Sequence, residues 1–505
     1  MTGPSAGRAR LGAPPGRWVV LATVLGSGMV LLDTTAVNVA LPTIGRDLGA
    51  SLRGLQWIMS GYTLALAALI LLGGSLGDRL GRRRVFIAGV IWFAVASAMC
   101  GVAPTIQVLV AARILQGAGG AMLVPGSLAI IQASFAPADR SRAIGAWAGL
   151  GNLATAAGPL VGGWLVAAVG WRLVFLVNLP VAALAVIVAV RKVPESRDDY
   201  AGGAFDVLGA FLAALALGGI AFALIGAPGS RGWERIAVLG AAIAGACASA
   251  AFLRVERARG RSVAERVPAP MLPLAIFASR QFSAINVITF CVYCATGGEL
   301  FMLVLELQAG AGFSALAAGS ALLPVTVLMI VLSPRSAALA QRVGPRWPLT
   351  AGAATCSAGL LLALRIGVGA SYPRDVLPAV AVFGVGIALI VSPLTATVLA
   401  SADVRNAGIA SGVNNAVTRV AGLIAVAGLP AVAGLRAAAY HSPGRLTSGF
   451  HLTMIVCAGL LALAGLLAVT LIDDRVLRAG RGVRAGARES GDDQCATSMT
   501  IRQPE

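Results

Sequence analysis

The sequence predicts an all-α integral membrane protein of about fourteen transmembrane helices. Three observations carry that expectation. Of 505 residues, 58% are hydrophobic and only 12% charged, roughly half the charged share of a soluble globular chain. The apolar residues gather in runs of about 20, the length that crosses the hydrocarbon core as a helix. The charges gather between the runs, with the positive ones biased to alternate stretches. The 63 glycines suit helices that approach closely in lipid.

The runs are residues 18–42, 55–76, 85–103, 106–131, 142–168, 171–190, 206–227, 233–253, 281–308, 313–333, 347–370, 376–400, 406–435 and 447–472. They are numbered here as spans 1 to 6, A, B and 7 to 12. With the N-terminus inside, the inner segments hold 28 of the 39 Lys and Arg and the outer segments 9, while Arg113 and Arg419 fall within spans. This asymmetry predicts both termini in the cytoplasm and the protein in a plasma membrane. The chain then divides into an N-terminal tail (1–17), a six-span half (18–190), a linker bearing spans A and B (191–280), a second six-span half (281–472) and a tail (473–505) whose polar composition predicts disorder.

The net charge of +18 points to membrane topology rather than nucleic acid, because the arginines sit in short loops beside apolar runs. Of seven cysteines, Cys100, Cys247, Cys291, Cys294, Cys356 and Cys457 fall inside spans. They read as small buried packing residues, not a disulfide framework or a metal site. No Walker loop is present, so no ATP motor is expected, and no nucleophile–base pair points to an enzyme. No cofactor is expected.

The densest charge lies between spans 2 and 3. Gly74-Ser75-Leu76-Gly77-Asp78-Arg79-Leu80-Gly81-Arg82-Arg83-Arg84 places five charges in its last seven residues. Gly77 and Gly81 are expected to turn the chain tightly. Asp78 is an anion at a helix end, suited to accept from the N-terminus of a neighbouring helix, where the dipole is positive. Such a contact would bias one of two conformations. The stretch has an echo, Leu339-Ala340-Gln341-Arg342-Val343-Gly344-Pro345-Arg346, between spans 8 and 9. Leucine, arginine, glycine and arginine recur in register, with Gln341 in place of the acid. Two halves repeated about an axis along the membrane normal follow.

Several spans carry polar residues that lipid would penalise. Span 1 contains Asp33 in Leu32-Asp33-Thr34-Thr35-Ala36-Val37-Asn38, nine residues from the outer end and so about 13 Å deep. A buried acid is costly unless neutralised, paired or functional. Span 4 contains Arg113 at similar depth, with Gln116 one turn on and near the same face. Span 7 holds Glu299, level with Asp33, and Glu306, expected near the outer surface and wet. Span 11 holds Asn414, Asn415 and Arg419, the last near mid-membrane. Span 5 repeats small residues and a kink: Gly158, Pro159, Gly162 and Gly163.

Together these stretches resemble the major facilitator superfamily, and within it the fourteen-span drug:proton antiporters, over about residues 18–472. The first-loop motif is matched at Gly74, Leu76, Asp78, Arg79, Gly81, Arg82 and Arg83. The span 1, 4, 5 and 11 stretches resemble the family's motifs there. The resemblance implies the major facilitator fold, with spans A and B between the halves, and makes span 11, beginning near Asn406, the neighbour that Asp78 would latch. It implies a proton-coupled exporter working by alternating access, with Asp33 and Arg113 in coupling and Glu299 a further candidate. Gln116, Glu306, Asn414, Asn415 and Arg419 are candidates for the cavity or for coupling. The span 5 stretch favours an antiporter over an importer.

The expected substrate is a small apolar, cationic compound such as an antibiotic. An endogenous metabolite, siderophore, amino acid or lipid is the alternative, and a non-transporting receptor a distant one. The partners are then substrate, protons and lipid, with the chain a monomer.

Overall fold

A computed structural model describes residues 14–197, 206–261, 272–401, 407–435 and 442–474. Most of both tails, parts of the two linkers flanking spans A and B, and Asn406 at the expected start of span 11 lie outside the described residues. All the described regular structure is helical. In lipid this is forced, since a helix satisfies its backbone groups within one segment.

The first half comprises α1 (Pro14–Asp47), α2 (Leu52–Leu80), α3 (Arg82–Gly101), α4 (Ile106–Ser134), α5 (Pro137–Ala168) and a sixth span broken at Val177 into α6 (Arg172–Leu176) and α7 (Asn178–Lys192). Spans A and B are α8 (Val207–Gly226) and α9 (Trp233–Arg261). The second half comprises α10 (Arg280–Leu305), which ends in a wide turn over Glu306–Gly310, α11 (Ala315–Ala321) and α12 (Leu323–Val343), which share one span, α13 (Arg346–Leu362), α14 (Leu377–Ala400), α15 (Ala407–Val432) and α16 (Pro443–Leu471). Among the described residues, thirteen helical segments are long and apolar enough to cross a membrane, and α2, bent by 48° between Ile70 and Leu72, makes the fourteenth.

Helix starts follow local chemistry. Thr105 Oγ1 accepts from Val108 N at 3.4 Å at the head of α4, and Ser314 Oγ accepts from Ala317 N at 3.1 Å at the head of α11. Each satisfies a backbone donor that the helix cannot. Helix α1 outruns its expected end at Pro42. Proline forfeits one helical bond, and the helix continues to Asp47, which accepts from Trp171 Nε1 at 2.7 Å and Arg172 Nη1 at 2.8 Å.

Helices α8 and α9 pair beside the halves. Helix α8 seats Ala221 and Ile225 against Leu423 and Ala427 of α15, with Trp57 and Leu64 of α2 packed around them. Helix α9 buries only 17% of its apolar window and so lies at the periphery. Its Cys247 is exposed, unlike the buried Cys100, Cys291, Cys294, Cys356 and Cys457. The expectation of buried cysteines therefore fails at Cys247, because α9 presents that face to the surroundings.

Candidate functional site

The small residues of α5 set the spacing of the site. A Cβ at Gly162 would stand 2.7 Å from Ala36 Cα of α1, and one at Gly163 would stand 2.6 Å from the Ala315 carbonyl oxygen of α11. A Cβ at Gly158 would collide with Thr35, and one at Gly319 with the Pro159 carbonyl. Helix α5 is therefore clamped against α1 on one side and the second half on the other, as the sequence motif implies.

Helix α1 places Asp33 where α4, α3 and α7 converge. Arg113 Nη1 donates to Asp33 Oδ2 at 2.5 Å, and neither residue is exposed to solvent. Gln116 Nε2 donates to Asp33 Oδ1 at 3.0 Å, and its Oε1 accepts from Arg113 Nη1 at 2.7 Å. Asn178 Nδ2 reaches both Asp33 Oδ1 at 3.2 Å and Ser97 Oγ at 3.0 Å. Ser97 Oγ in turn donates to the Phe175 carbonyl at 2.9 Å. The Arg113 guanidinium lies 4.1 Å from the centre of the Tyr62 ring, and Nε donates to the Ile58 carbonyl at 3.3 Å. The carboxylate thus has three donors and the guanidinium an anion, an amide, a carbonyl and a ring face. These bonds meet most of what burying a charge pair requires, and Arg113 Nη2 is left buried without a partner among the described residues. Sequence reasoning named Asp33, Arg113 and Gln116, pairing only the last two, and missed Asn178 and Ser97; the structure brings all five together. The signal of the two missed residues was a polar side chain inside an apolar run.

Thr34, the next residue, faces a central cavity of about 220 Å³. The cavity lies between the halves, lined from α1, α2, α10 and α15 by residues that include Asn38, Ser60, Tyr293, Thr296 and Arg419. No carboxylate is among its lining residues. At the end of the bundle far from the Gly74–Arg84 loop, the halves are joined by side chains reaching across to backbone. Asn38 Nδ2 donates to the Leu300 carbonyl at 2.9 Å, Gln56 Nε2 to the Val426 carbonyl at 2.8 Å, and Gln308 Nε2 to the Val39 carbonyl at 2.9 Å.

The other candidates separate. Glu299 is buried but faces away from the central cavity, toward Leu303, Leu360, Val380, Phe383 and Met454, on a void of about 10 Å³ inside the second half. Glu306 is not wet: it is fully buried, with Oε1 accepting from Thr447 Oγ1 at 2.6 Å, because the wide turn folds it inward. Asn414 joins α15 to α10 by donating to Thr289 Oγ1 at 2.9 Å and Asn286 Oδ1 at 3.2 Å. Asn415 is placed differently. It is exposed and donates to the Ser411 carbonyl of its own helix at 3.1 Å, one position round from the inward face.

The charged loop is built differently from its expectation. Helix α2 runs through Gly77, so only Gly81, at φ 107°, makes the turn. Asp78 Oδ1 accepts from Arg82 Nε at 2.9 Å. The neighbour it was expected to latch, α15, is described from Ala407 on, and Asn406, its expected start, lies outside the described residues. The acid that serves the loop is Glu195, which accepts from Arg83 N at 3.0 Å and lies 3.7 Å from both the Arg83 and the Arg84 Nε. The second half repeats this. Gly344 turns at φ 100°, and Asp474 accepts from Arg346 N at 3.1 Å. Each acid stands three residues beyond the last helix of its half, α7 or α16, and sits at the positive N-terminus of α3 or α13. The sequence echo at Leu339–Arg346 is therefore an echo in structure.

The family model described as Major Facilitator Superfamily matches residues 23–206 and 201–426. The chain belongs to that superfamily. Its two six-span halves, with α8 and α9 between them, are the major facilitator fold, and the protein is a transporter rather than an enzyme. This major facilitator chain is 36% identical over 407 residues to the tetracenomycin C resistance and export protein of Streptomyces glaucescens, covering 80% of this chain and 73% of the relative. It is 35% identical over 428 residues to the probable actinorhodin transporter of Streptomyces coelicolor, covering 83% and 73%. It is 34% identical over 408 residues to the methylenomycin A resistance protein of Bacillus subtilis, covering 80% and 85%. Among solved structures, a peptide transporter POT in complex with sulfate superposes with a TM-score of 0.65 at 17% identity, covering 93% of this chain and 96% of the other. A bacterial homologue of the human lysosomal transporter Spinster, inward-facing and unoccupied, superposes at 0.63 and 16% identity, covering 92% and 98%.

Proposed function

We propose that the protein is a proton-driven exporter of small apolar organic compounds, antibiotics among them, acting as a monomer in the plasma membrane with both termini in the cytoplasm. The observation that carries this reading is the buried Asp33–Arg113 pair beside the central cavity. The relatives support it: one is named for tetracenomycin C resistance and export, one as a probable actinorhodin transporter and one for methylenomycin A resistance.

A proton arriving at Asp33 removes its charge and leaves Arg113 buried without an anion, which is costly in a medium of low dielectric. The protonated state therefore favours a rearrangement of α1 against α4 in which Arg113 finds other acceptors. Because Thr34 and Asn38 of α1 line the cavity, that movement reshapes the substrate site. Losing the proton restores the pair and the first arrangement. Proton and substrate are thus coupled through α1, without sharing one carboxylate. With the termini inside, the bonds of Asn38, Gln56 and Gln308 close the outer end, and substrate enters from the cytoplasm.

The two charged loops act on the same equilibrium. Asp78 has its latch role in the state closed to the cytoplasm, while Glu195 and Asp474 hold the loop ends of the two halves. The test is transport of a fluorescent apolar drug into everted membrane vesicles. An imposed proton gradient should drive accumulation, and a protonophore should abolish it. Accumulation indifferent to the gradient would reject proton coupling.

A further inference from the structure

Arg419 stands midway along α15 and lines the central cavity. Among the described residues it makes no hydrogen bond and no ion pair. The acids within the bundle do not answer it: Asp33 is engaged by Arg113, Glu299 faces the separate void in the second half, and Glu306 is held by Thr447. The cavity thus carries one uncompensated positive charge among its described lining and no negative one. A half-buried cation at membrane depth is expensive unless something compensates it.

Two further groups, buried beside the same space, have no partner among the described residues. Ser60 is 1% exposed and Asn38 is 2% exposed, and Ser60 Oγ and Asn38 Oδ1 both lack a hydrogen-bond partner among the described residues. Both residues line the cavity. Ser60 offers a hydroxyl donor and Asn38 an acceptor, while Phe301, Tyr293, Leu300 and Met59 supply apolar surface.

We infer that the cavity selects aromatic organic acids, with a carboxylate or phenolate oxygen paired to Arg419 and a neighbouring hydroxyl set between Ser60 and Asn38. This rests on the export reading for its physiological sense and replaces the cationic substrate expected from the sequence. A cation would need an anion in the cavity, and Asp33 is engaged by Arg113. A bidentate guanidinium–oxyanion contact in a partly desolvated cavity is stronger than one in water, so charge should dominate recognition there.

The test is equilibrium binding to the full-length protein in lipid nanodiscs, read by fluorescence anisotropy. Fluorescein and the methyl ester of rhodamine share a ring system and carry opposite charge. Fluorescein is expected to bind at least about tenfold more tightly. Arg419→Gln should erase that preference, and Arg419→Lys should retain most of it. Equal binding, a preference for the rhodamine ester, no binding of fluorescein, or a preference that survives Arg419→Gln would each overturn the inference. Binding needs no transport, so the two readings fail separately. If fluorescein binds but vesicles do not accumulate it, export fails and the charge preference stands. If the rhodamine ester is accumulated while fluorescein neither binds nor moves, export stands and the preference falls.

Discussion

Arg113 Nη1 lies 2.5 Å from Asp33 Oδ2, and both side chains have no solvent exposure. Removing one member leaves the other as an uncompensated buried charge, a loss of about 3–5 kcal/mol, whereas removing both together costs far less. Asp33→Asn is therefore expected to lower the unfolding temperature in detergent more than the double variant Asp33→Asn/Arg113→Gln. Equal unfolding temperatures for the two variants would mean that Arg113 loses nothing when Asp33 is neutralised.

Gly162 of α5 has no room for a side chain against α1, while Gly145, earlier on the same helix, meets nothing within 4 Å. Gly162→Val should reduce folded yield severely, by overpacking of about 1–3 kcal/mol or more. Gly145→Ala should be neutral in yield and transport. Size-exclusion profiles of the fluorescent fusions report both.

Glu299 faces its own half rather than the cavity and has no hydrogen-bond partner among the described residues. Glu299→Gln keeps its shape and removes no described bond. It is expected to preserve gradient-driven transport within about twofold. Complete loss in vesicle assays would instead make Glu299 the proton site.

Asp78 and Gln341 occupy equivalent places in the two loops, and only the first carries charge. Asp78→Asn should impair transport substantially, by about tenfold in initial rate if it biases the conformational equilibrium by about 1.4 kcal/mol. Gln341→Ala should be mild. Equal effects would leave the loop a topology signal only.

Much of this was readable from the residues. Fourteen apolar runs, the loop echo and the small residues of α5 follow from what lipid tolerates, and the helices bear them out. Asp33, Arg113 and Gln116 were visible because charge within an apolar run is costly enough to need a reason. What the sequence could not supply was direction. Asn415 and Asn414 are neighbours in the chain, yet one is exposed and the other bonds to α10, and only helix packing decides which. Glu306 was misplaced because a five-residue wide turn has no sequence signature. Glu195 and Asp474 were passed over as linker charges, since their value depends on the distant helix starts they cap.

The central claim is that protons drive this transporter through the Asp33–Arg113 pair. Its most direct measurement is uphill dye accumulation in proteoliposomes energised by a proton gradient alone, for the native chain and for Asp33→Asn/Arg113→Gln at matched folded protein. The native chain should accumulate dye, and a protonophore should abolish that accumulation. The double variant should show only downhill equilibration. Full gradient-driven accumulation by the double variant would contradict it.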